Sequence, residues 1–370
     1  MKCEVDRELF TECLHGVVNT IPARTTYPVL QNILLEVKGN RLILAATDLD
    51  TYVRKEIPTA AEKKSTSGKA ILPGKKLLEV CSELEEPVLV LSQTDNTIRL
   101  ESGKNVYTFA GLDPAEYPEP PAMPSETVAD FPLPLLEEAF EATTFAVSRD
   151  EARAVMTGVY WEVDQAEMRM TATDGHRLAL IRKPGEFKVK ARMIIPPKVF
   201  NLFSRGEATV KVRADVANVA NASKVGLEFQ STTIISRLIE GPYLEYERVI
   251  PKNHPNKLTI RRDRLSAALR RAAVFANPVA KPVTFDLKSS GCQILAETPE
   301  LGQAQETLDA TYSGADLKTS FNAVFLIEIL RHLPTENAIL EFNTALNAGL
   351  IRPDQENPER LYLLMPIRLD

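Results

Sequence analysis

The sequence is poor in the residues from which most enzyme and metal sites are built. It holds four histidines and four cysteines in 370 residues. The cysteines, Cys3, Cys13, Cys81 and Cys292, are scattered. No pair has metal-ligand spacing, and no disulfide framework is implied. Cys13 and Cys81 fall at apolar helix positions and are expected to be buried thiols. There is no Gly-rich phosphate loop, no nucleophile elbow and no His-Glu-x-x-His helix. No run approaches the roughly 20 apolar residues that span a bilayer. The start, Met1-Lys-Cys-Glu-Val-Asp-Arg7, lacks the apolar core of a signal peptide, so the expected location is cytoplasmic. Excess basic charge is also missing: the formal net charge is −6. That argues against a uniformly basic nucleic-acid binder and leaves open an acidic protein with one basic face.

What is present is a repeat. In Thr171-Ala-Thr-Asp-Gly-His-Arg-Leu-Ala-Leu180, apolar alternation leads into a polar corner. Gly175 is free there to take a positive φ, and Arg177 to Leu180 returns as a second strand. A near copy is Leu42-Ile-Leu-Ala-Ala-Thr-Asp-Leu-Asp50, and a weaker one is Gln293-Ile-Leu-Ala-Glu-Thr-Pro-Glu300. Thr173 follows Thr47 by 126 positions, and Glu297 follows Thr173 by 124. A period this long marks repeated domains rather than a solenoid.

Other features keep the same period. Helical apolar stripes open each third: Phe10, Leu136 and Leu265 are equivalent, as are Leu14, Phe140 and Leu269. Second helices are expected from Pro73, Pro197 and Asn322, the middle one running to Arg205. Pro114 to Pro124 holds five prolines and reads as a linker, and Pro251 to Pro255 marks another. Each third is thus helix, strands, helix, strands. The fold class is α+β, with helices on one face of antiparallel sheets. The expected domains are residues 1–122, 123–249 and 250–370.

Asp174 and His176 invite an enzyme reading, a metal-dependent phosphoesterase in which they share a proton or an ion. The corner recurs without that pair, since the first copy has Leu49 and Asp50 in place of Gly175 and His176. An architectural role therefore outweighs it, and no catalytic residue, metal or cofactor is expected. The basic residues are more informative. Lys75 and Lys76 stand on a second helix, Lys198 and Arg205 on its counterpart, and Arg331 on the third. Arg264, Arg270 and Arg271 are on a first helix, while Arg149 and Arg153 follow another. Any one of them suits a solvated helix face; recurrence on equivalent helices points to one shared surface.

The corner stretch, the three-fold order, Tyr246-Glu-Arg-Val-Ile-Pro251 and the ending Met365-Pro-Ile-Arg-Leu369 together resemble the bacterial DNA polymerase III beta subunit family, the sliding clamps. The resemblance covers essentially the whole chain. It implies a processivity factor, without catalysis, that encircles duplex DNA as a ring-shaped homodimer, helices lining the hole and sheets outside. It also implies tethering of the polymerase catalytic subunit, the clamp loader, other polymerases and repair proteins through short linear peptides. An acidic sum suits sliding, because tight phosphate binding would oppose it. A non-ring DNA-binding adaptor is the remaining alternative.

The resemblance also carries over sites. The dimer contact falls on Lys104, Tyr107 and Phe109 of one chain and Val274 and Phe275 of the other. DNA falls to Arg24 by the family loop, and to Lys75, Lys76, Arg149, Arg153, Lys198 and Arg205 by the helix argument. The partner-peptide pocket falls on Met156, Thr173, Gly175, His176, Arg177, Leu178, Leu244, Arg248, Val249, Leu363, Met365, Pro366, Ile367, Arg368 and Leu369. The residues themselves add a physical case. Leu363, Met365, Ile367 and Leu369 alternate, as on one face of a terminal strand. Methionine adapts to several ligands, Gly175 permits close backbone approach, and Arg177 and Arg248 are expected as charged donors at the rim. The chain departs from the family at Leu244, where proline is common, at Met156, where leucine is common, and at Val155, where an aromatic residue is frequent. Asp370 extends past the usual terminal leucine.

Overall fold

The computed structural model describes residues 1–60, 65–203, 206–215 and 223–368. The chain forms two compact units: Met1–Glu137 with Lys188–Glu240, and Glu138–Phe187 with Gly241–Asp370. The middle third of the sequence therefore supplies chain to both.

Five α-helices occur among the described residues: α1 (Arg7–Val18), α2 (Gly74–Ser82), α3 (Leu133–Glu141), α4 (Arg262–Ala272) and α5 (Ala323–Arg331). The amides of a first turn have no partner within the helix, so a side-chain cap fixes where it starts. Asp6 Oδ1 accepts from the Leu9 amide at 2.9 Å and starts α1. Asn322 Oδ1 accepts from the amides of Val324 (2.9 Å) and Phe325 (3.1 Å) and starts α5. The aligned stripe is real: Phe10, Leu14, Leu136, Phe140, Leu265 and Leu269 are each 3% exposed or less.

The second helices are capped by Pro73, Pro196 and Asn322. The middle one corrects the sequence reading. It is a 3₁₀ turn, Pro197–Leu202, followed by extended Phe203, rather than an α-helix reaching Arg205. Two consecutive prolines at its start leave few amides to donate, and 3₁₀ geometry suits so short a piece. Ser204 and Arg205 lie outside the described residues.

Both units are built on antiparallel ladders. In the first, the strands Lys2–Asp6, Val88–Thr94, Thr97–Ser102 and Asn105–Ala110 form one sheet in that spatial order. A second sheet runs Gly68–Pro73, Asn32–Lys38, Arg41–Thr47, Thr51–Pro58, Thr232–Arg237, Lys224–Phe229, Thr209–Ala214, Glu126–Pro132. Its central pair joins the first third to the middle third with Tyr52 opposite Ile235. In the second unit the order is Val159–Val163, Glu167–Thr173, Arg177–Pro184, Arg360–Leu364, Gly349–Pro353, Asn337–Phe342, Asn256–Arg261, Ala310–Ser313. Here Leu178 stands opposite Leu363. A smaller sheet runs Gly302–Leu308, Gly291–Thr298, Pro282–Lys288, Leu317–Asn322.

The third corner is displaced by one residue from its expected place. Thr298, 8% exposed, pairs with Gly302 at the end of the hairpin, while Glu297 faces solvent. Cys81 is buried, which pushes its thiol up to about 12, whereas Cys13 is only half-buried. No helix among the described residues is long and apolar enough to cross a membrane.

Candidate functional site

Two hairpin corners are closed by the same bonds. At the first, Thr47 Oγ1 donates to the Thr51 carbonyl (3.0 Å) and accepts from the Leu49 amide (3.0 Å). Asp48 Oδ1 accepts from the amides of Asp50 (3.1 Å) and Thr51 (2.7 Å). At the second, Thr173 Oγ1 donates to the Arg177 carbonyl (2.6 Å) and accepts from the Gly175 amide (3.1 Å). Asp174 Oδ1 accepts from the amides of His176 (2.9 Å) and Arg177 (3.0 Å). The third corner residue is left-handed in both, with φ of 79° at Leu49 and 89° at Gly175. Asp174 is therefore a turn-former. Its other oxygen accepts from Arg177 Nε at 3.0 Å, so the carboxylate is engaged without the His176 ring. Among the described residues no three His, Cys, Asp or Glu side chains are grouped to hold a metal ion.

Beside the second corner lies an apolar patch of the second unit. Leu178, Leu180, Tyr246, Leu350 and Leu363 form a buried floor, with Tyr160, Tyr243, Ile250 and Leu361 packed against it. Leu244 (44% exposed), Val249 (58%) and Met365 (46%) stand open around it, with Gly175 and His176. The loop carrying Leu244, Arg248 and Val249 is staked by Tyr246. Its hydroxyl donates to Glu162 at 2.6 Å, and burial pushes that phenol up to about 12, so it stays a donor. Tyr160 stacks on Tyr243 at 4.6 Å, and Glu247 pairs with Arg169 at 2.6 Å.

The tail meets the patch differently from its expected strand. Regular pairing ends at Leu364. Beyond it, Met365 donates its amide to the His176 carbonyl (2.8 Å) and Ile367 to the Ser320 carbonyl (2.7 Å). Pro366 and Ile367 are half-buried and Arg368 is exposed. Leu369 and Asp370 lie outside the described residues. Met156 is buried and reaches the corner, since its Cε lies 3.5 Å from where a Cβ on Gly175 would be.

Arg177 is a correction. It is 8% exposed and no rim donor. Nη1 donates to Glu328 (2.5 Å) and Nη2 to the Phe145 carbonyl (2.6 Å), in addition to Nε on Asp174. Its Cζ lies 4.4 Å from the Phe325 ring centroid and 5.2 Å from that of Phe145. A guanidinium taken from water needs such partners. Arg248, by contrast, is exposed and pairs with its neighbour Glu245 at 2.5 Å.

The first unit carries the same arrangement with a different finish. The registers set Tyr52 in the place of Leu178, Ile235 in that of Leu363 and Gly226 in that of Leu350. Arg237 donates its amide to the Asp50 carbonyl at 2.8 Å, as Met365 does to His176. Met123 of the proline-rich linker packs, with Val29 and Leu112, against the floor of Leu34, Ala45, Tyr52, Ile71, Tyr117 and Ile235. A Cβ on Gly226 would lie 2.2 Å from Met123 Sδ, so glycine admits the methionine. The linker and the floor residues Leu34, Ala45, Tyr52, Tyr117 and Ile235 together line a cavity of about 380 Å³. In the second unit Leu350 fills the equivalent place, and the open apolar surface lies elsewhere, around Met365.

The basic residues fall in both units. In the first, Arg24, Lys75 and Lys76 are exposed. A Cβ on Gly74 would lie 2.7 Å from Ile21, so the first turn of α2 sits beside the chain leading to Arg24. Lys76 pairs with Glu79 (2.7 Å) and Lys198 with Asp48 Oδ2 (2.6 Å). In the second unit Arg149 and Arg153 are exposed, but Arg153 is tied to Asp150 (2.9 Å) and to the Asp174 carbonyl (3.1 Å), beside the corner. Tyr107 and Phe109 are half-buried on the sheet-edge strand Asn105–Ala110, and Lys104 is exposed just before it. Val274 is 62% exposed and Phe275 half-buried after α4.

Sequence reasoning missed Phe145, Phe325 and Glu328 around Arg177, and Tyr160, Tyr243 and Leu350 in the floor. One signal was available: Tyr243 follows Tyr117 by 126 positions, the spacing of the two corners. Both hydroxyls reach equivalent strand carbonyls, Ala45 and Thr171, at 3.5 Å.

Repeated helix–strand thirds joined by shared sheets define the three-domain fold of sliding clamps. The models of the DNA polymerase III beta subunit N-terminal, central and C-terminal domains match residues 1–122, 131–245 and 247–368. The beta sliding clamp of Escherichia coli K12 is 29% identical over 375 residues, with all of both chains covered. Among solved structures, the DNA polymerase III beta subunit of Thermotoga maritima aligns with a TM-score of 0.90 at 26% identity, again over all of both chains. The Bartonella birtlesii sliding clamp bound to griselimycin aligns over all of both chains with a TM-score of 0.89 at 27% identity. The chain belongs to the DNA polymerase III beta subunit family and is a non-catalytic processivity clamp.

Proposed function

We propose that this clamp, made of domains 1–122, 123–249 and 250–370, closes as a homodimer around duplex DNA in the cytoplasm and tethers partners at the apolar patch of its second unit. The observation that carries the partner site is the finish of the two equivalent corners. In the first patch the chain's own Met123 packs into the space over Gly226, whereas the second leaves Leu244, Val249 and Met365 in solvent over a buried floor. Apolar side chains open around a formed floor suit a short linear segment with apolar anchors. The partners are the polymerase III catalytic subunit, the clamp loader, and other polymerases and repair proteins, competing for one surface through such segments.

Two sheet ends support the closure. The strand Asn105–Ala110 ends one sheet, has no buried residue, and exposes Val106 beside half-buried Tyr107 and Phe109. The strand Gly302–Leu308 ends the sheet of the last third, next to α4 through the Arg271–Glu306 pair at 2.6 Å. An unpaired sheet edge is a template for another chain. Arg24, Lys75, Lys76, Arg149, Arg153, Lys198 and Arg205 are the DNA contacts in this reading, made to phosphate and blind to sequence.

Retention on DNA tests the ring. After loading, the protein is expected to stay on circular duplex in high salt and to leave linear duplex by its ends. Equal loss from both forms would favour a non-ring adaptor. Deleting Met365 to Asp370 tests the partner site: polymerase binding is expected to vanish while the dimer still encircles DNA.

A further inference from the structure

We infer that Glu328 and Phe145 are positioning residues for the partner patch: they hold the Arg177 guanidinium, and Arg177 holds the Thr173–Arg177 corner against the tail. The inference rests on the reading of that patch as the partner site.

The first corner serves as an internal control. It is closed by the same four bonds, yet its equivalent of Arg177 is Thr51, whose hydroxyl meets Ser236 Oγ at 3.2 Å, and its Asp48 Oδ2 is taken by Lys198 from outside the corner at 2.6 Å. The corner therefore needs no arginine to form. The second corner carries one, and the cation is shared between the corner and two further elements. Asp174 Oδ2 on the corner, Glu328 on α5 and the Phe145 carbonyl in the Thr144–Ala146 turn each accept from one of its three nitrogens. Phe325, from the first turn of α5, lies against Arg177 and also 6.4 Å from the His176 ring.

The consequence runs along the backbone. His176 lies between Asp174 and Arg177, and its carbonyl accepts the Met365 amide. Ile367 is held by Ser320, on the strand Leu317–Asn322 that leads into α5. The corner and the tail are thus both referenced to α5 and the strand before it. Glu328 sits 151 residues from Arg177 in sequence and, among the described residues, has no hydrogen bond to the exposed patch residues, so its effect there passes through Arg177. Loosening the guanidinium frees the corner to shift against Met365, which carries the exposed apolar surface.

Two mild substitutions test this. Glu328→Gln keeps an acceptor and removes the charge; Phe145→Leu keeps apolar bulk and removes the ring. Hydrogen exchange needs no ligand: in both variants the Met365 amide is expected to exchange faster, while the equivalent Arg237 amide in the first unit keeps its wild-type rate. Griselimycin, the ligand of the Bartonella clamp, is the binding probe, and each variant is expected to bind it about tenfold more weakly, ~1.4 kcal/mol. Wild-type exchange at Met365 together with wild-type affinity overturns the positioning role. So does equal acceleration at Met365 and Arg237, which marks general loosening. If griselimycin fails to bind the unaltered chain, or still binds after deletion of Met365 to Asp370, the patch assignment itself falls instead.

Discussion

At the scale of single residues, the second corner shows how a charge is kept inside a fold. Arg177 is enclosed by two carboxylates, a carbonyl and two rings, and the Phe145 ring stacks in turn on His332 at 4.3 Å and 4°. Burial holds the His332 imidazole below its ordinary 6.5; Glu141 and Glu328 oppose that shift, while Arg360 and Arg331 add to it. The folded chain thus keeps His332 neutral at a pH where the unfolded chain protonates it. Between the lowered value and 6.5 the unfolded state binds the extra proton, so stability falls as the pH drops through that window and levels off below it. His332→Asn is expected to flatten this part of the thermal-midpoint profile between pH 7 and pH 5. An unchanged slope in that variant would place the acid sensitivity on other groups. The sequence could not show any of this. Arg177 stands in a motif that reads as a turn, and its partners lie 32 and 151 residues away. Its place at the end of the turn was legible; its burial was not.

At the scale of elements, what the sequence made legible was the local part. Helix starts at Asp6 and Asn322, the apolar stripes and the first two corners are each decided by neighbours within a few residues, and the structure keeps them. Two local features were misread for local reasons: the prolines before Lys198 shorten that helix to a 3₁₀ turn, and the third corner falls on Thr298 rather than Glu297. The division of the middle third between two units was illegible, because it depends on pairing Thr51–Pro58 with Thr232–Arg237 and Arg177–Pro184 with Arg360–Leu364. Strand partners so distant leave no periodic signal. The same pairing explains why the linker matters. Gly226 exists to receive Met123, so Gly226→Ala forces the sulfur from its place and is expected to cost about 1–3 kcal/mol, the usual range for overpacking. Chemical denaturation should show the loss, and Gly226→Ala with Met123→Ala should recover part of it. Additive losses in the double variant would mean that the two residues do not share the space.

At the scale of the whole molecule, charge and closure make separate demands. An acidic chain that must admit DNA needs its cations exposed and unclaimed. By that measure the proposed contacts are unequal. Lys198 and Arg153 are paired within their units at 2.6 Å and 2.9 Å, whereas Lys75 and Arg24 have no ion-pair partner among the described residues. Lys75→Glu with Lys76→Glu is therefore expected to reduce loading on DNA at low salt, more than Lys198→Gln does, and to leave dimerisation alone. Normal loading by the double variant would remove α2 from the DNA-facing surface.

In the proposed ring, closure rests on different residues. In the last third, Leu265, Ala268, Leu269 and Ala272 already complete the buried stripe of α4, so Val274 and Phe275 are not needed for its packing. Val274 is mostly exposed and Phe275 half-covered, an arrangement that leaves an aromatic anchor for another surface. The sheet-end strand Asn105–Ala110 offers Tyr107 and Phe109 for that contact, from a first third whose core does not use them. Phe275→Asp places a charge at the proposed contact without touching the α4 stripe. It is expected to yield folded monomers by sedimentation, with an unchanged far-ultraviolet spectrum, and to abolish retention on circular DNA. A dimer of normal stability in that variant would move the seam away from α4. Monomers that still stayed on circles in high salt would break the link between dimerisation and encirclement.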